Sequence, residues 1–165
     1  MYFHAHSIPE TIGMAQAAAL SRRPAAPEKP RKLLVAFDGS PAAWSALEHA
    51  VDRAQADGSS LHVVNVQEAL VDSAGMYRIY RERGERIIEA VAERMVPRDV
   101  AFTAEIAFGS PAAAIVRTAR DEECDHIILG TTNRTGIASL FSPGVSREVL
   151  RLAEVPVTII KEETK

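Results

Sequence analysis

The sequence predicts a doubly wound, Rossmann-like α/β domain, in which a five-stranded parallel sheet of order 3-2-1-4-5 carries helices on both faces. Segments with strand and helix patterns alternate from Lys32 onward. Leu33–Phe37 is continuously apolar, as in strands buried on both faces, whereas Val100–Phe108 alternates apolar and polar residues, as edge strands do. Because crossovers between consecutive parallel strands are right-handed, this alternation places helices on both sides of the sheet.

The first helix is defined by the residues at its two ends. Asp38-Gly39-Ser40 ends the first strand, Ser40 is a favourable N-cap, and Pro41 suits the first helical position. The helix Pro41–Ala56 has one apolar face and ends at Gly58. That face comprises Ala43, Leu47, Ala50, Val51 and Ala54.

The middle of the chain predicts a second strand, Leu61–Val66, followed by a long helix, Ser73–Val96. Arginines and glutamates alternate on the outer side of this helix. Gly84, within the helix, marks a weak point or a place where another backbone comes close. The inner side comprises Met76, Tyr80, Ile87, Val91 and Met95.

Ser110 and Pro111 repeat the cap-and-proline start of a helix, which continues to about Glu123. A buried strand, a polar loop, a short helix and a last apolar strand complete the chain. The strand is His126–Leu129 and the polar loop is Thr131–Ser142. The short helix begins at about Pro143-Gly144-Val145, and the last strand is Val155–Ile160. In the order 3-2-1-4-5 the topological switch lies between the first and fourth strands, so we expect a ligand between Asp38-Gly39-Ser40 and Gly130-Thr131-Thr132.

Composition excludes several classes of function. The chain has 165 residues, a net charge of −3 and a single cysteine, Cys124. The charge gives no drive toward nucleic acid or anionic membranes, and no apolar run approaches the roughly 18–20 residues of a membrane span. A lone cysteine fits a reducing compartment, so we expect a cytoplasmic protein. Because acidic neighbours such as Asp125 raise a thiol pKa, we expect Cys124 to be unreactive.

Residues 1–30 are predicted to be a flexible N-terminal extension, and residues 31–162 to form one domain. Prolines recur at every third position between residues 24 and 30, in a mostly basic stretch typical of a semi-extended linker. His4 and His6 form a pair that could bind a metal, but with no third ligand in view a solvated tail is the preferred interpretation. The other histidines are predicted to be structural or solvent-facing: His49, His62 and His126.

Four segments together resemble the universal stress protein family, over nearly all of Lys32–Lys161. They are Val35-Ala36-Phe37-Asp38-Gly39-Ser40, Val63-Val64-Asn65-Val66, Gly109-Ser110-Pro111 and Ile127–Ile160. Their order and spacing carry the resemblance, since no single segment is specific. The resemblance implies a homodimer and, in some members, an adenine nucleotide whose phosphates lie on a loop of pattern G-x2-G-x9-G-[S/T] after the fourth strand.

The phosphate loop of this chain departs from that pattern. Aligned without gaps, Gly130 matches the first glycine, and Asn133, Pro143 and Gly144 replace the two later glycines and the hydroxyl residue. Asparagine tolerates a left-handed backbone, but Pro143 has no N–H and Gly144 has no hydroxyl. Each lost hydrogen bond to a charged group is worth roughly 1.5–3 kcal/mol, so the loop favours the family members that do not bind ATP. Arg134 could compensate in part, because it supplies charge and a forked donor.

The adenosine half of the site is better preserved. By resemblance, Ala36 and Asp38 border the base and ribose, the backbone of Val66 meets the adenine edge, and Leu129 lies beneath the ring. Asp38 also has a structural interpretation, because an aspartate after a buried strand often caps the next turn. The full set of candidate nucleotide-binding residues is Ala36, Phe37, Asp38, Val66, Leu129, Gly130, Asn133, Arg134, Pro143, Gly144 and Val145.

We expect a non-enzymatic stress-response or regulatory protein that senses ATP, ADP or AMP, with Mg²⁺ as the companion ion. The apolar strand Val155–Ile160 leaves a sheet edge that needs a partner, and by resemblance the same strand of a second chain supplies it. Two alternatives stay open. One is a switch that retains affinity for ATP or AMP or hydrolyses ATP weakly, and for hydrolysis Asp38 is the only candidate general base in the sequence. The other is a nucleotide-independent module that binds an unidentified protein through Thr131–Ser142.

Overall fold

The computed structural model describes residues 31–68, 74–131 and 143–162, and it confirms the predicted fold class. The strands of the described residues form one parallel sheet in the order β3-β2-β1-β4-β5. The strands are β1 (Lys32–Ala36), β2 (Ser60–Gln67), β3 (Phe102–Phe108), β4 (His126–Thr131) and β5 (Val157–Lys161). The helices are α1 (Pro41–Asp57), α2 (Ala74–Met95), α3 (Pro111–Asp121) and α4 (Pro143–Leu152), with a 3₁₀ helix at Val96–Arg98.

The central strand β1 separates two apolar layers. Successive side chains of a strand point to opposite faces, so Leu33 and Val35 pack with α1 and α2, whereas Leu34 and Ala36 pack with α3 and α4. All four side chains are fully buried. This explains why the first strand is apolar at every position, and it confirms that both faces of the sheet are covered.

Both predicted signals at the ends of α1 are confirmed. The Ala43 N–H donates to Ser40 Oγ at 3.1 Å, and Gly58 ends the helix with φ of +76°, a backbone conformation that glycine adopts without strain. The same serine-and-proline helix start, predicted for α3, is only partly confirmed. Ser110 precedes Pro111 at the N-cap position, but within the described part of the chain its side chain makes no capping hydrogen bond.

A glycine allows α1 to pack directly on β4. A Cβ at Gly130 would lie 2.2 Å from the Ala42 carbonyl oxygen, so no other residue fits there without moving the helix. At Gly84, where the sequence suggests a weak point or a close backbone, the neighbour is a side chain instead. A Cβ at that position would lie 2.9 Å from Ile106 Cδ1.

The last two strands differ from the prediction at their ends. β4 continues through Gly130 to Thr131, because these residues pair with Ile160 and Lys161 of β5. β5 begins at Val157 rather than Val155. Proline has no N–H to donate to a strand ladder, so Pro156 marks a natural start for this strand.

Helix α2 is buried mainly along its carboxyl-terminal half, although Tyr77 near its start stacks on Phe108 of β3 with ring centroids 4.7 Å apart. Val91 and Met95 are buried and Ile87 is partly buried, as predicted, but Met76 is 45% exposed. The α-helix ends at Met95, and Pro97, which lacks an N–H, lies in the 3₁₀ helix that follows. Neither α2 nor any other helix of the described residues is long and apolar enough to cross a membrane.

Candidate functional site

The carboxyl ends of β1 and β4 lie side by side, as the predicted switch point requires. Ala36, the last residue of β1, is opposite Leu129 of β4. The Ser40 N–H donates to Asp38 Oδ1 at 2.9 Å, which confirms the capping interpretation of this aspartate. A carboxylate has about four acceptor sites, so Asp38 keeps the capacity to accept hydrogen bonds from a ligand.

A cavity of about 180 Å³ opens at this end of the sheet, between β1, β2 and α2. It brings together Asp38 and Val66, two of the residues predicted to contact a nucleoside. The other lining residues are Asn65, Gln67, Glu68, Tyr80, Arg83, Ile87 and Pro111. Ligand pockets commonly measure about 300–1,000 Å³, so the described residues form only part of a nucleotide-sized site.

Val66 presents its backbone to the cavity. The Phe37 N–H donates to the Val64 carbonyl at 2.9 Å, whereas the Gly109 N–H donates to the Gln67 carbonyl, on the β3 side, at 3.2 Å. Backbone groups of alternate residues in a strand point to the same neighbour, so Val66 points, like Val64, towards β1. Because β1 ends opposite Val64, the backbone of Val66 faces the space beyond the end of that strand.

A chain of buried hydrogen bonds fixes the polar floor of the cavity. The Gln67 amide donates to Asn65 Oδ1, and Asn65 Nδ2 donates to the Phe37 carbonyl oxygen at 2.7 Å. Asn65 and Gln67 are 1% and 5% exposed. Because a buried polar group without a partner is costly, this network holds the ends of β1 and β2 in one relative position. The network is absent from the residues predicted for the site, although an amide in an otherwise apolar strand is a signal visible in the sequence.

Helix α2 supplies cavity residues that are not among those predicted for the site. Tyr80, Arg83 and Ile87 are three and four residues apart, so they lie on one stripe of the helix. Arg83 belongs to the alternating charges predicted to face solvent, and it is exposed, but it also borders the cavity. Its spacing from Tyr80 and Ile87 is the signal that could have identified it. A guanidinium at this edge can pair with a phosphate or stack on a base.

Three other predicted residues lie in the core rather than in the lining of the cavity. Ala36 and Leu129 are buried and pack on the side of α3 and α4. Phe37 packs on the opposite side of the sheet, edge-to-face with Trp44, with ring centroids 4.7 Å apart. Their side chains set the shape of the strand ends, and of this group only the Phe37 carbonyl takes part in the polar floor.

The phosphate side of the predicted site is described in part. Gly130 lies on β4, where the close approach of α1 already explains why this residue is a glycine. Helix α4 begins at Pro143, so a proline occupies a first turn whose other N–H groups lack intrahelical partners. Gly144 is exposed, and Val145 packs against the core of α3 and α4. The rest of this predicted set lies outside the described residues, namely Asn133 and Arg134 within the segment 132–142.

The structure agrees with two predictions about residues outside the cavity. Cys124 is 5% exposed, and its burial raises the pKa of the thiol to about 11. The predicted direction is therefore right, but burial outweighs Asp125 and the other acidic neighbours as the cause. His126 is partly buried, with Nε2 2.7 Å from Thr158 Oγ1, in keeping with a structural role.

Comparison with known proteins identifies the family. Residues 29–161, most of the chain, match the universal stress protein family. The chain belongs to this family. A curated relative from Thermus aquaticus, "Universal stress protein in QAH/OAS sulfhydrylase 3'region", is 34% identical over 138 residues, which cover 79% of this chain and 98% of the relative. The resemblance that the sequence motifs carry is thereby confirmed.

Solved structures of universal stress proteins share the fold. A member of the family from Burkholderia pseudomallei gives a TM-score of 0.65 at 28% identity, covering 78% of this chain and 94% of that one. A family protein from Arabidopsis thaliana, whose crystal structure has AMP bound, gives a TM-score of 0.63 at 20% identity. That comparison covers 82% of this chain and 94% of the Arabidopsis chain.

Proposed function

We propose that this universal stress protein is a non-enzymatic regulator that senses an adenine nucleotide at the carboxyl ends of β1, β2 and β4. The observation that carries the proposal is the cavity of about 180 Å³ in which Asp38 and Val66 meet. Doubly wound sheets bind ligands at this edge, next to the topological switch point. The AMP bound to the Arabidopsis relative suggests the class of ligand.

The donor and acceptor groups of the cavity fit adenosine. The Asp38 carboxylate can accept hydrogen bonds from ribose hydroxyls, and the backbone of Val66 offers an N–H and a carbonyl to the edge of the base. Ile87 adds an apolar contact for the face of the ring. The hydrogen-bonded Asn65 and Gln67 keep this surface rigid, which lowers the entropy lost when a ligand binds.

We infer that the nucleoside half supplies most of the affinity, so AMP, ADP and ATP bind similarly. Pro143 offers no N–H at the start of α4, and Gly144 offers no hydroxyl, so each further phosphate finds few donors. The guanidinium of Arg83, which borders the cavity, still favours an anion close to the ribose. Mg²⁺ adds little to binding on this account, because it is held largely through the later phosphates.

We further propose that the protein is a cytoplasmic homodimer formed through β5. This strand ends the sheet, and among the described residues no strand pairs with its outer edge. Ile159 is 36% exposed, and a groove of about 550 Å³ bordered by Trp44 and Ile160 runs beside the strand. An unpaired apolar edge promotes association, so β5 of a second copy is the expected partner. Sedimentation velocity should give a dimer, and Ile159→Asp should give monomers.

Calorimetric titration of the purified protein with AMP, ADP and ATP, with and without Mg²⁺, tests the nucleotide site. We expect dissociation constants within about tenfold of one another, because the nucleoside contacts are common to all three. Asp38→Asn keeps an acceptor for the Ser40 N–H but removes the charge, and it should weaken AMP at least about tenfold. Asp121→Asn, at an exposed position at the carboxyl end of α3, is the matched control and should bind as the parent does.

Two results would contradict the proposal in different ways. If no nucleotide binds to the folded protein, the nucleotide-sensing function is wrong. If ATP binds far more tightly than AMP and only with Mg²⁺, the site stands but the inference about its phosphate half is wrong. Release of phosphate from ATP, abolished by Asp38→Asn, would make the protein an enzyme.

A protein-interaction module without a nucleotide is the second candidate. One observation favours it, because the first turns of α2 expose large apolar side chains. These are Met76, Tyr77 and Ile79, which are 45%, 39% and 57% exposed. Exposed apolar clusters of this kind mark interaction surfaces. This function predicts that all three nucleotides fail to bind, and that Ile79→Asp abolishes association with a partner protein while the fold stays intact.

A further inference from the structure

We propose a second ligand site at the opposite end of the sheet, where His62, Glu105 and Glu122 are placed to bind a divalent transition-metal ion such as Zn²⁺. One ring nitrogen of His62 and one carboxylate oxygen of each glutamate lie within 4.8 Å of one another. They come from the amino-terminal part of β2, from β3, and from the C-cap of α3. The site does not depend on the nucleotide cavity, which lies at the carboxyl ends of the same strands.

His62 distinguishes this cluster from a group of surface acids. The residue is 3% exposed, and its Nδ1 lies 2.7 Å from Thr103 Oγ1. Its Nε2 is buried and has no hydrogen-bond partner among the described residues. Native structures rarely leave a buried polar atom without a partner, so such an atom calls for a ligand. Nε2 is 3.9 Å from Glu105 Oε1. This distance is too long for a hydrogen bond, but an ion between the two atoms could bind both of them.

The donor separations suit a metal ion once the glutamate side chains rotate towards Nε2. Bonds from Zn²⁺ to nitrogen and oxygen are about 2.0–2.2 Å, so the donors of a tetrahedral site lie about 3.3–3.6 Å apart. His62 Nε2 is 3.9 Å from Glu105 Oε1, whereas Glu122 Oε2 is 3.7 Å from Nδ1, the other ring nitrogen, so Glu122 has to move farther than Glu105 to reach an ion on Nε2. Both glutamate side chains are partly exposed, so they can rotate towards an ion. With the ion on Nε2, the His62 Nδ1–H donates to Thr103 Oγ1 and holds the ring in place.

The charges of the cluster favour a divalent cation, with Lys32 as its competitor. Lys32 Nζ donates to Glu122 Oε2 at 2.6 Å, and Thr118 Oγ1 donates to Glu105 Oε1 at 2.9 Å. One ammonium neutralises only one of the two carboxylates, whereas a divalent ion neutralises both. Nitrogen beside oxygen donors favours Zn²⁺ or Co²⁺ over Mg²⁺, which prefers oxygen alone. Three protein ligands leave a fourth position for water.

Zn²⁺ titration of the full chain tests this site. The parent for all variants carries His4→Ala and His6→Ala, which remove the tail histidines as a second source of binding. We expect one Zn²⁺ per chain by calorimetry, a higher Tm with Zn²⁺, visible absorption bands with Co²⁺, and no comparable effect of Mg²⁺. Glu105→Gln and Glu122→Gln should each weaken Zn²⁺ at least about tenfold. Lys32→Met should tighten it about tenfold, because it removes the competing charge.

Glu85→Gln is the matched control, because Glu85 is partly exposed and pairs with Arg81 on α2, away from the cluster. Zn²⁺ affinity should not change in this variant. His62→Gln should abolish binding, and if it does not fold, the two glutamate variants decide. The proposal is wrong if the parent binds no Zn²⁺, if both folded glutamate variants bind as the parent does, or if Lys32→Met fails to bind more tightly. Because AMP binding is measured separately, failure of one site is distinguishable from failure of the other.

Discussion

Gly130 of β4 lies so close to Ala42 of α1 that a Cβ at residue 130 would be 2.2 Å from the Ala42 carbonyl oxygen. The obstacle is helix backbone, which cannot rotate away as a side chain can. This contact joins the helix that follows the first strand to the strand that leads into the predicted phosphate loop. The glycine therefore has a packing role that does not depend on any nucleotide.

Gly130→Ala should lower the free energy of unfolding by about 3 kcal/mol, because the added methyl group forces α1 away from the sheet. Urea unfolding monitored by circular dichroism measures the change. Gly75→Ala, at a position where an added Cβ meets nothing within 4 Å, is the matched control and should be neutral or slightly stabilising. An unfolding curve for Gly130→Ala that matches the parent would show that the close contact is not rigid.

Ser40→Ala and Ser110→Ala should differ in stability although both serines precede a proline at a helix start. Ser40 Oγ accepts a hydrogen bond from Ala43 N–H, so its loss should cost about 1 kcal/mol. Ser110 makes no such bond within the described residues, so its replacement should cost no more than about 0.5 kcal/mol. Equal losses in thermal or urea unfolding would contradict this difference.

Asn65→Leu should lower the free energy of unfolding by about 2–4 kcal/mol, because it leaves the Phe37 carbonyl and the Gln67 amide buried without partners. A double-mutant cycle with Gln67→Leu should show strong coupling, since each residue satisfies the other. Gln55→Leu is the control, because Gln55 donates to the Arg98 carbonyl at an exposed site. Its loss should stay within about 1 kcal/mol, and a similar loss for Asn65 would argue against the buried network.

The stability of the protein should fall as the pH is lowered through the titration range of histidine. Burial is the main cause that lowers the pKa of His126, and the positive charges of Arg53 and Arg31 lower it further. The unfolded chain, with a histidine pKa near 6.5, then binds a proton that the folded chain does not, so unfolding is favoured below that pH. This contribution to stability is complete above about pH 6.5 and is lost as the pH falls towards the folded pKa.

His126→Gln tests this dependence, because glutamine can still bond to Thr158 but does not titrate. Between about pH 7.5 and 5.5 the free energy of unfolding should fall less steeply in the variant than in the parent. Some dependence should persist, because burial lowers the pKa of His62 as well, although Glu122 and Glu105 oppose this. Identical slopes for parent and variant would exclude His126 as a source of acid sensitivity.

Much of the fold could be predicted from local signals. The apolar run around Val35 indicates a strand covered on both faces, and Ser40 with Gly58 defines a helix between its ends. These signals involve residues close together in the sequence, so they can be recognised without knowledge of the tertiary structure. The extension of β4 to Thr131 could not be predicted in this way, because it depends on pairing with β5.

The two candidate sites were predictable to different degrees. Asp38 follows β1 and Val66 lies near the end of β2, and the order of the strands fixes their neighbours, so topology and resemblance together predicted their position. His62, Glu105 and Glu122 are far apart in the sequence and meet only because β2, β3 and α3 pack together. No spacing in the chain indicates that meeting. Arg83 is an intermediate case. Its spacing from Tyr80 and Ile87 on one stripe of the helix was visible in the sequence, but its charge indicated a side chain that faces solvent rather than a cavity.

Helices α1 and α2 are anchored unequally. Helix α1 is held along its length by small buried residues, whereas α2 has its buried apolar side chains at Val91 and Met95 and contacts β3 near its start through the stack of Tyr77 on Phe108. Tyr80 and Arg83 belong to the less anchored half of α2. The described lining of the cavity includes residues of α2 but none of α1, so any accommodation to ligands of different size comes from the early turns of α2.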